Sequence, residues 1–162
     1  MTAVLGPLRR DDLLFAAERS GRIAPLQVVR TSAVLGELHV RSAAMHAQRA
    51  IAQARAQASR PEVEFVRYLA GERQIRRALD KAGLAESEPH AVVVALGPHR
   101  TDALRHFVDQ LGLREDDSLI AATPERFAAW GFTAAQLAAT TPQHRAQLVL
   151  EAVALVDVRT NP

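Results

Sequence analysis

The sequence predicts an α/β (α+β) protein, a small mixed β-sheet packed with several helices, as a single compact domain over residues 1–162. Three observations carry that expectation. His90 to Leu96 is a continuous apolar, β-branched run closed by Gly97-Pro98. It is short for a helix and suits a strand buried on both faces. Most other apolar residues recur at helical spacing between cap residues and breakers. No Gly/Ser-rich or Pro-rich linker, low-complexity segment or long-period repeat divides the chain. At 162 residues and 48% hydrophobic, the chain can bury a core without covalent staples.

The elements follow in order. Asp11 to Ser20 reads as a short helix, with acids at its start and Ser20-Gly21 at its end. Leu26 to Thr31 is β-rich and follows Pro25, so a strand is expected. His39 to Ser59 is an Ala-rich helical stretch stopped by Pro61. Val40, Ala44, Ala47, Ile51, Ala54 and Ala58 give its apolar spacing, and Arg41, Gln48 and Arg55 lie on another face with Arg49 at its edge. Glu62 to Ala70 is a further helix, ended by Gly71. Glu72 to Ala82 follows, with Ile75, Ala78, Leu79 and Ala82 on one face and Arg73, Arg76 and Arg77 on another. Gly83 supplies a C-terminal cap, with Leu84 as the accompanying apolar contact.

Beyond the His90 strand, Thr101 to Gly112 is helical, with Thr101 as candidate N-cap and Gly112 as closure. Ser118 to Ala122 is a candidate short strand. Thr123-Pro124-Glu125 is a cap, a first-turn proline and an acid, a strong helix start. Thr133 with Gln136 forms a capping-box pattern. Thr141-Pro142 opens the last helix, which reaches about Val156. Leu148, Val149, Ala152, Leu155 and Val156 make one apolar face of it. Ala146, Leu150 and Val153 make a second, roughly opposite. A helix apolar nearly all round is either central in the core or shared with a partner.

Composition excludes several functions. There is no cysteine, which removes disulfide scaffolds, iron–sulfur clusters, thiolate zinc sites and a cysteine nucleophile. A reducing, cytoplasmic location is expected. No apolar run approaches the length of a membrane span, and the N-terminus lacks the pattern of a secretory signal. Phosphate-cradling Gly-rich loops and the Gly-x-Ser-x-Gly elbow are absent, and the only lysine is Lys81. No two of the six histidines are four residues apart. Neither a metal nor another cofactor is expected, and no residue is assigned a catalytic role. Adjacent acids at Asp11-Asp12 and Glu115-Asp116-Asp117 suit capping and turns.

Charge is the informative feature. Residues 1–81 hold 13 Arg and one Lys against 8 acids, and residues 82–162 hold 6 Arg against 10 acids. A basic half is what a surface facing a polyanion requires, although an Arg-rich face is often only solvated. Arg73, Arg76 and Arg77 can meet phosphates bidentately. The aromatics of this half are Phe15, Phe65 and Tyr68, of which Phe15 and Phe65 are expected in the core. Stacking on aromatic rings is therefore a minor resource. Backbone or end recognition of nucleic acid is favoured over sequence reading.

Four blocks together resemble a known family. Glu64-Phe65-Val66-Arg67-Tyr68-Leu69-Ala70-Gly71-Glu72-Arg73-Gln74-Ile75, continuing through Ala78-Leu79, resembles the signature of the KEOPS kinase-binding subunit, also called the PRPK-binding protein family. Gly36-Glu37-Leu38-His39-Val40 with Ala43 is similar to that family's Gly-x-x-His-Leu-x-x-Ala helix start. Asp116-Asp117-Ser118-Leu119 and the tail from Leu148 to Val158 resemble two further blocks. The matches run in order from about residue 26 to 158.

The resemblance implies a small α/β accessory protein without a catalytic centre. It would serve the complex that installs threonylcarbamoyl-adenosine in tRNA. It would dock on the N-terminal lobe of that complex's small atypical kinase and stimulate it, reaching the other subunits through the kinase. Archaeal members also grip the single-stranded 3′ CCA end of tRNA, and the compact length fits an archaeal-type member. Under this reading Arg73, Gln74, Arg76, Arg77, Arg41 and Arg49 are candidate tRNA contacts. Ala146, Leu150, Val153 and Asp157 are candidate kinase contacts. Two departures stand out: the family's Arg after the tail Glu is Ala152 here, and Arg replaces Lys widely. A small α/β enzyme, or a scaffold without tRNA binding, is the alternative.

Overall fold

A computed structural model describes residues 1–85 and 87–158, which divide into two compact units. The first comprises residues 1–31 and 83–120; the second comprises 32–82 and the chain from 121 onward.

The first unit is built on four strands, β1 (Thr2–Arg9), β2 (Leu26–Arg30), β3 (Ser87–Ala95) and β4 (Arg114–Glu115), in the order β2-β3-β1-β4. Every pairing is antiparallel, where a mixed sheet was expected. β3 is the expected strand of the His90 run, and residues 91–96 are all buried. β1 was not expected, because Gly6-Pro7 interrupts it. The register with β3 runs Leu5 to His90 and then Leu8 to Glu88. The extra residue at Gly6-Pro7 is absorbed as a bulge, where a residue without an N–H is tolerated.

Helices α1 (Arg10–Ser20) and α5 (Arg100–Leu111) supply Leu13, Ala16, Ala103 and Phe107 to a core with Val4, Leu26, Val28, Ala91, Val93 and Ala95. The strand residues alternate, as a single sheet face requires. A small polar cluster ties the two helices together. Ser20 Oγ lies 3.0 Å from His106 Nδ1, and Gln110 Nε2 donates to Ser20 Oγ at 3.0 Å. Phe15, expected in the core, is 62% exposed. The helix turns Leu13 and Ala16 inward instead. α5 starts one residue before the expected cap, with His99 at the N-cap position. Ser118 to Ala122 is not a strand; Asp117–Ile120 forms a 3-10 turn.

The second unit is helical: α2 (Glu37–Ala52), α3 (Pro61–Ala70), α4 (Ile75–Ala82), α6 (Pro124–Trp130), α7 (Ala134–Ala138) and α8 (Arg145–Ala154). α3 packs against α2, α4 and α8. Thr123 accepts from Arg126 N at 3.4 Å, and Thr133 with Gln136 forms the full capping box. α2 ends seven residues earlier than its composition suggests. Ala54 takes a left-handed conformation (φ 52°) just after it. Glu64 Oε2 then accepts Gln57 N at 3.1 Å and Ala58 N at 2.9 Å, folding the following loop onto α3. That tertiary capture outweighs the helix propensity of the alanines.

Candidate functional site

The candidate site is the segment linking α3 to α4, and its construction starts at Gly71. Gly71 closes α3 with φ 67°. Glu72 N bonds back to Arg67 O at 3.0 Å and Gly71 N to Tyr68 O at 3.1 Å, a Schellman closure. A Cβ on Gly71 would lie 2.6 Å from the indole Cη2 of Trp130, so glycine is required by conformation and by space.

The α3 end is held from the other side by His39. Leu35 N donates to His39 Nδ1 at 3.1 Å. That fixes the proton on Nε2, which donates to Leu69 O at 3.0 Å. The indole N–H of Trp130 donates to the same carbonyl at 3.3 Å. His39 is buried, and desolvation brings its pKa down to about 4. It is a neutral structural linker. The Nζ of Lys81, in the last turn of α4, sits 3.7 Å over the Trp130 ring. The glycine and histidine of the two signature blocks thus meet at one helix terminus.

The next turn is fixed by Arg67. This side chain is wholly buried and ion-paired with buried Glu64, one turn before it on α3. Arg67 Nε donates to Arg73 O at 2.8 Å. Gln74 O then accepts Ala78 N at 3.0 Å and launches α4. With their backbone anchored, Arg73, Gln74, Arg76 and Arg77 all present exposed side chains, while Ala78 and Ala82 pack inward. Leu79, expected on the apolar face, is 39% exposed.

The remaining candidates are placed less uniformly. Arg41 and Arg49 are exposed on α2, and Arg41 is paired with Glu37 at 2.7 Å. On α8, Ala146 is exposed and Leu150 half-buried. Val153 is fully buried and therefore belongs to the core. The inward arc of α8 is Val149, Ala152 and Val153, continued by Val156 just after it, so Val153 of the second expected face joins the first in the core. Ala154, Leu155 and Val158 are, like Ala146, apolar residues left outside. Asp157 is engaged within the chain. Tyr68 Oη donates to its Oδ2 at 2.7 Å, and Arg55 Nη1 lies 3.3 Å from the same oxygen. Burial and the Asp157 carboxylate push the Tyr68 phenol well above its usual range, so it remains a donor. Glu64 and Arg67 lie one turn apart on α3, but periodicity could not reveal that Asp157 joins them, because it comes from a distant segment.

The chemistry available here is recognition. Guanidinium groups and one amide stand on a turn whose backbone is anchored, and a partly apolar helix end stands elsewhere in the same unit. No helix among the described residues is long and apolar enough to cross a membrane.

A family model described as "Kinase binding protein CGI-121" matches residues 13–120. The match includes α2, α3, the Gly71 closure and the Arg73–Arg77 segment, and stops before α6. A comparison with curated proteins finds no match. The matched segment covers more than half of the chain and contains the turn just described, and on that ground the chain belongs to the CGI-121 family of kinase-binding proteins, the kinase-binding subunits of KEOPS.

Proposed function

We propose that this chain is a non-catalytic KEOPS subunit of archaeal type that docks on and stimulates the small atypical kinase and recruits tRNA by its 3′ CCA end. The observation that supports the tRNA half is the anchored basic turn. Arg73, Gln74, Arg76 and Arg77 are exposed on a backbone fixed by Gly71 and Arg67. Guanidinium groups carried on an anchored backbone bind phosphates with less backbone entropy lost on contact. Arg41 and Arg49 extend the basic surface along α2 as secondary contacts. The kinase half rests on the family membership, with the docking surface placed on the outer side of α8 and its tail. Ala146, Leu150, Leu155 and Val158 offer its apolar contacts.

The test is a tRNA titration of the wild type against Arg76→Glu/Arg77→Glu. These side chains are exposed, so the variant keeps its fold. Affinity is expected to fall at least about tenfold at low salt, with a shallower salt slope. Unchanged affinity and slope would remove the tRNA role from this face.

A further inference from the structure

One guanidinium touches both proposed surfaces. Arg67 Nε holds the Arg73 carbonyl of the basic turn at 2.8 Å. Its Nη1 is committed to Glu64. Its Nη2 is buried and has no hydrogen-bond partner, and it lies 3.7 Å from Oδ1 of Asp157. That aspartate sits in the tail just after α8, between the exposed apolar residues Leu155 and Val158. The tail's carboxylate is therefore next to a buried cation whose other end fixes the basic turn. The 3.7 Å approach is an ion pair that stops short of a hydrogen bond. A buried donor left without a partner is destabilising, and a small inward movement of Asp157 would satisfy it.

We propose that Arg67 is a positioning residue that couples the tail to the Arg73–Arg77 turn, so that pressing Asp157 onto Arg67 strengthens its hold on the turn for RNA. This rests on the tRNA and kinase reading above. A partner seated on Leu155 and Val158 pushes the tail toward α3 and closes the gap. By linkage, RNA on the basic turn then tightens the partner's hold by the same factor. Such coupling makes recruitment of tRNA strongest in the assembled complex.

The experiment compares wild type, Asp157→Asn, Asp157→Glu and Tyr68→Phe. It reads tRNA affinity and the ¹H–¹⁵N amide signals of Glu72, Arg73 and Gln74. Asp157→Asn removes a negative charge, so simple electrostatics would tighten binding to a polyanion. The relay predicts the opposite sign, a loss of about fivefold with displaced Glu72–Gln74 signals, in keeping with ordinary coupling strengths. Asp157→Glu is expected to restore affinity and signals, and Tyr68→Phe, which leaves the carboxylate facing Arg67, to leave both close to wild type. Unmoved Glu72–Gln74 signals in Asp157→Asn, or tighter tRNA binding, overturns the relay. If the Asn variant does not fold, titrating purified kinase into labelled wild type decides the question. Shifts at the tail without shifts at Glu72–Gln74 overturn the relay, and shifts at both support it. A wild type that binds no tRNA refutes the proposed function instead, and the amide signals still test the relay.

Discussion

The backbone of Gly71 lies against the indole of Trp130, so closely that a Cβ would stand 2.6 Å from Cη2. Gly71 is also left-handed, at φ 67°. The two demands add, because the ring blocks the space that the unusual backbone would need for relief. Gly71→Ala is expected to cost about 2–4 kcal/mol. Urea denaturation measures it, and a loss under about 1 kcal/mol would mean that the indole moves aside freely.

The left-handed residue after α2 carries the opposite expectation. Ala54, at φ 52°, occupies the position where glycine is usual. Ala54→Gly relieves that strain and should raise stability by roughly 0.5–1 kcal/mol, although it also frees the unfolded chain. A rise of a few degrees in melting temperature is the readout.

His39 makes the fold sensitive to acid. Its pKa is about 4 in the folded protein and near 6.5 when unfolded. Between those values the unfolded state binds the extra proton, so stability falls as pH drops through that window. The loss from this group is complete below about pH 4 and amounts to roughly 3 kcal/mol. His39→Gln retains a donor for Leu69 O and removes the titration. The wild-type and variant stability curves should converge as pH falls from 7 to 4. A constant difference over that range would show that His39 is not held neutral.

α8 separates core from surface within two residues. Val153 is fully buried, while Leu155 is 45% exposed. Val153→Asp places a carboxylate in the core and should abolish cooperative folding, a cost of more than about 4 kcal/mol. Leu155→Asp should stay within about 0.5 kcal/mol of wild type and weaken kinase binding at least about tenfold by calorimetry. A fully folded Leu155→Asp with undiminished kinase affinity would move the docking surface off this helix end.

Where local chemistry decides structure, it was legible. The Thr123 cap, the Thr133 capping box, and Gly71 and Gly112 at helix ends all follow from neighbouring residues. β3 followed from its unbroken apolar run. The misses share a cause in long-range contacts. β1 survives Gly6-Pro7 because β3 pairs with it on both sides of the bulge. α2 stops at Ala52 because Glu64 captures the loop beyond it. Val153 turned out buried because a helix packed against both α2 and α3 hides a wide arc. For the candidate site, the basic residues were readable from charge and spacing. The buried scaffold beneath them was not, since Arg67 and Asp157 meet only in the fold.

If the anchored basic turn receives the 3′ end of tRNA, removing that end must weaken binding. Purified protein is titrated with intact tRNA and with tRNA lacking its 3′ CCA, across a salt series. A clear loss of affinity on trimming is expected, with a steep salt dependence for the intact molecule. Equal affinity for both, or binding too weak to measure for either, would contradict it.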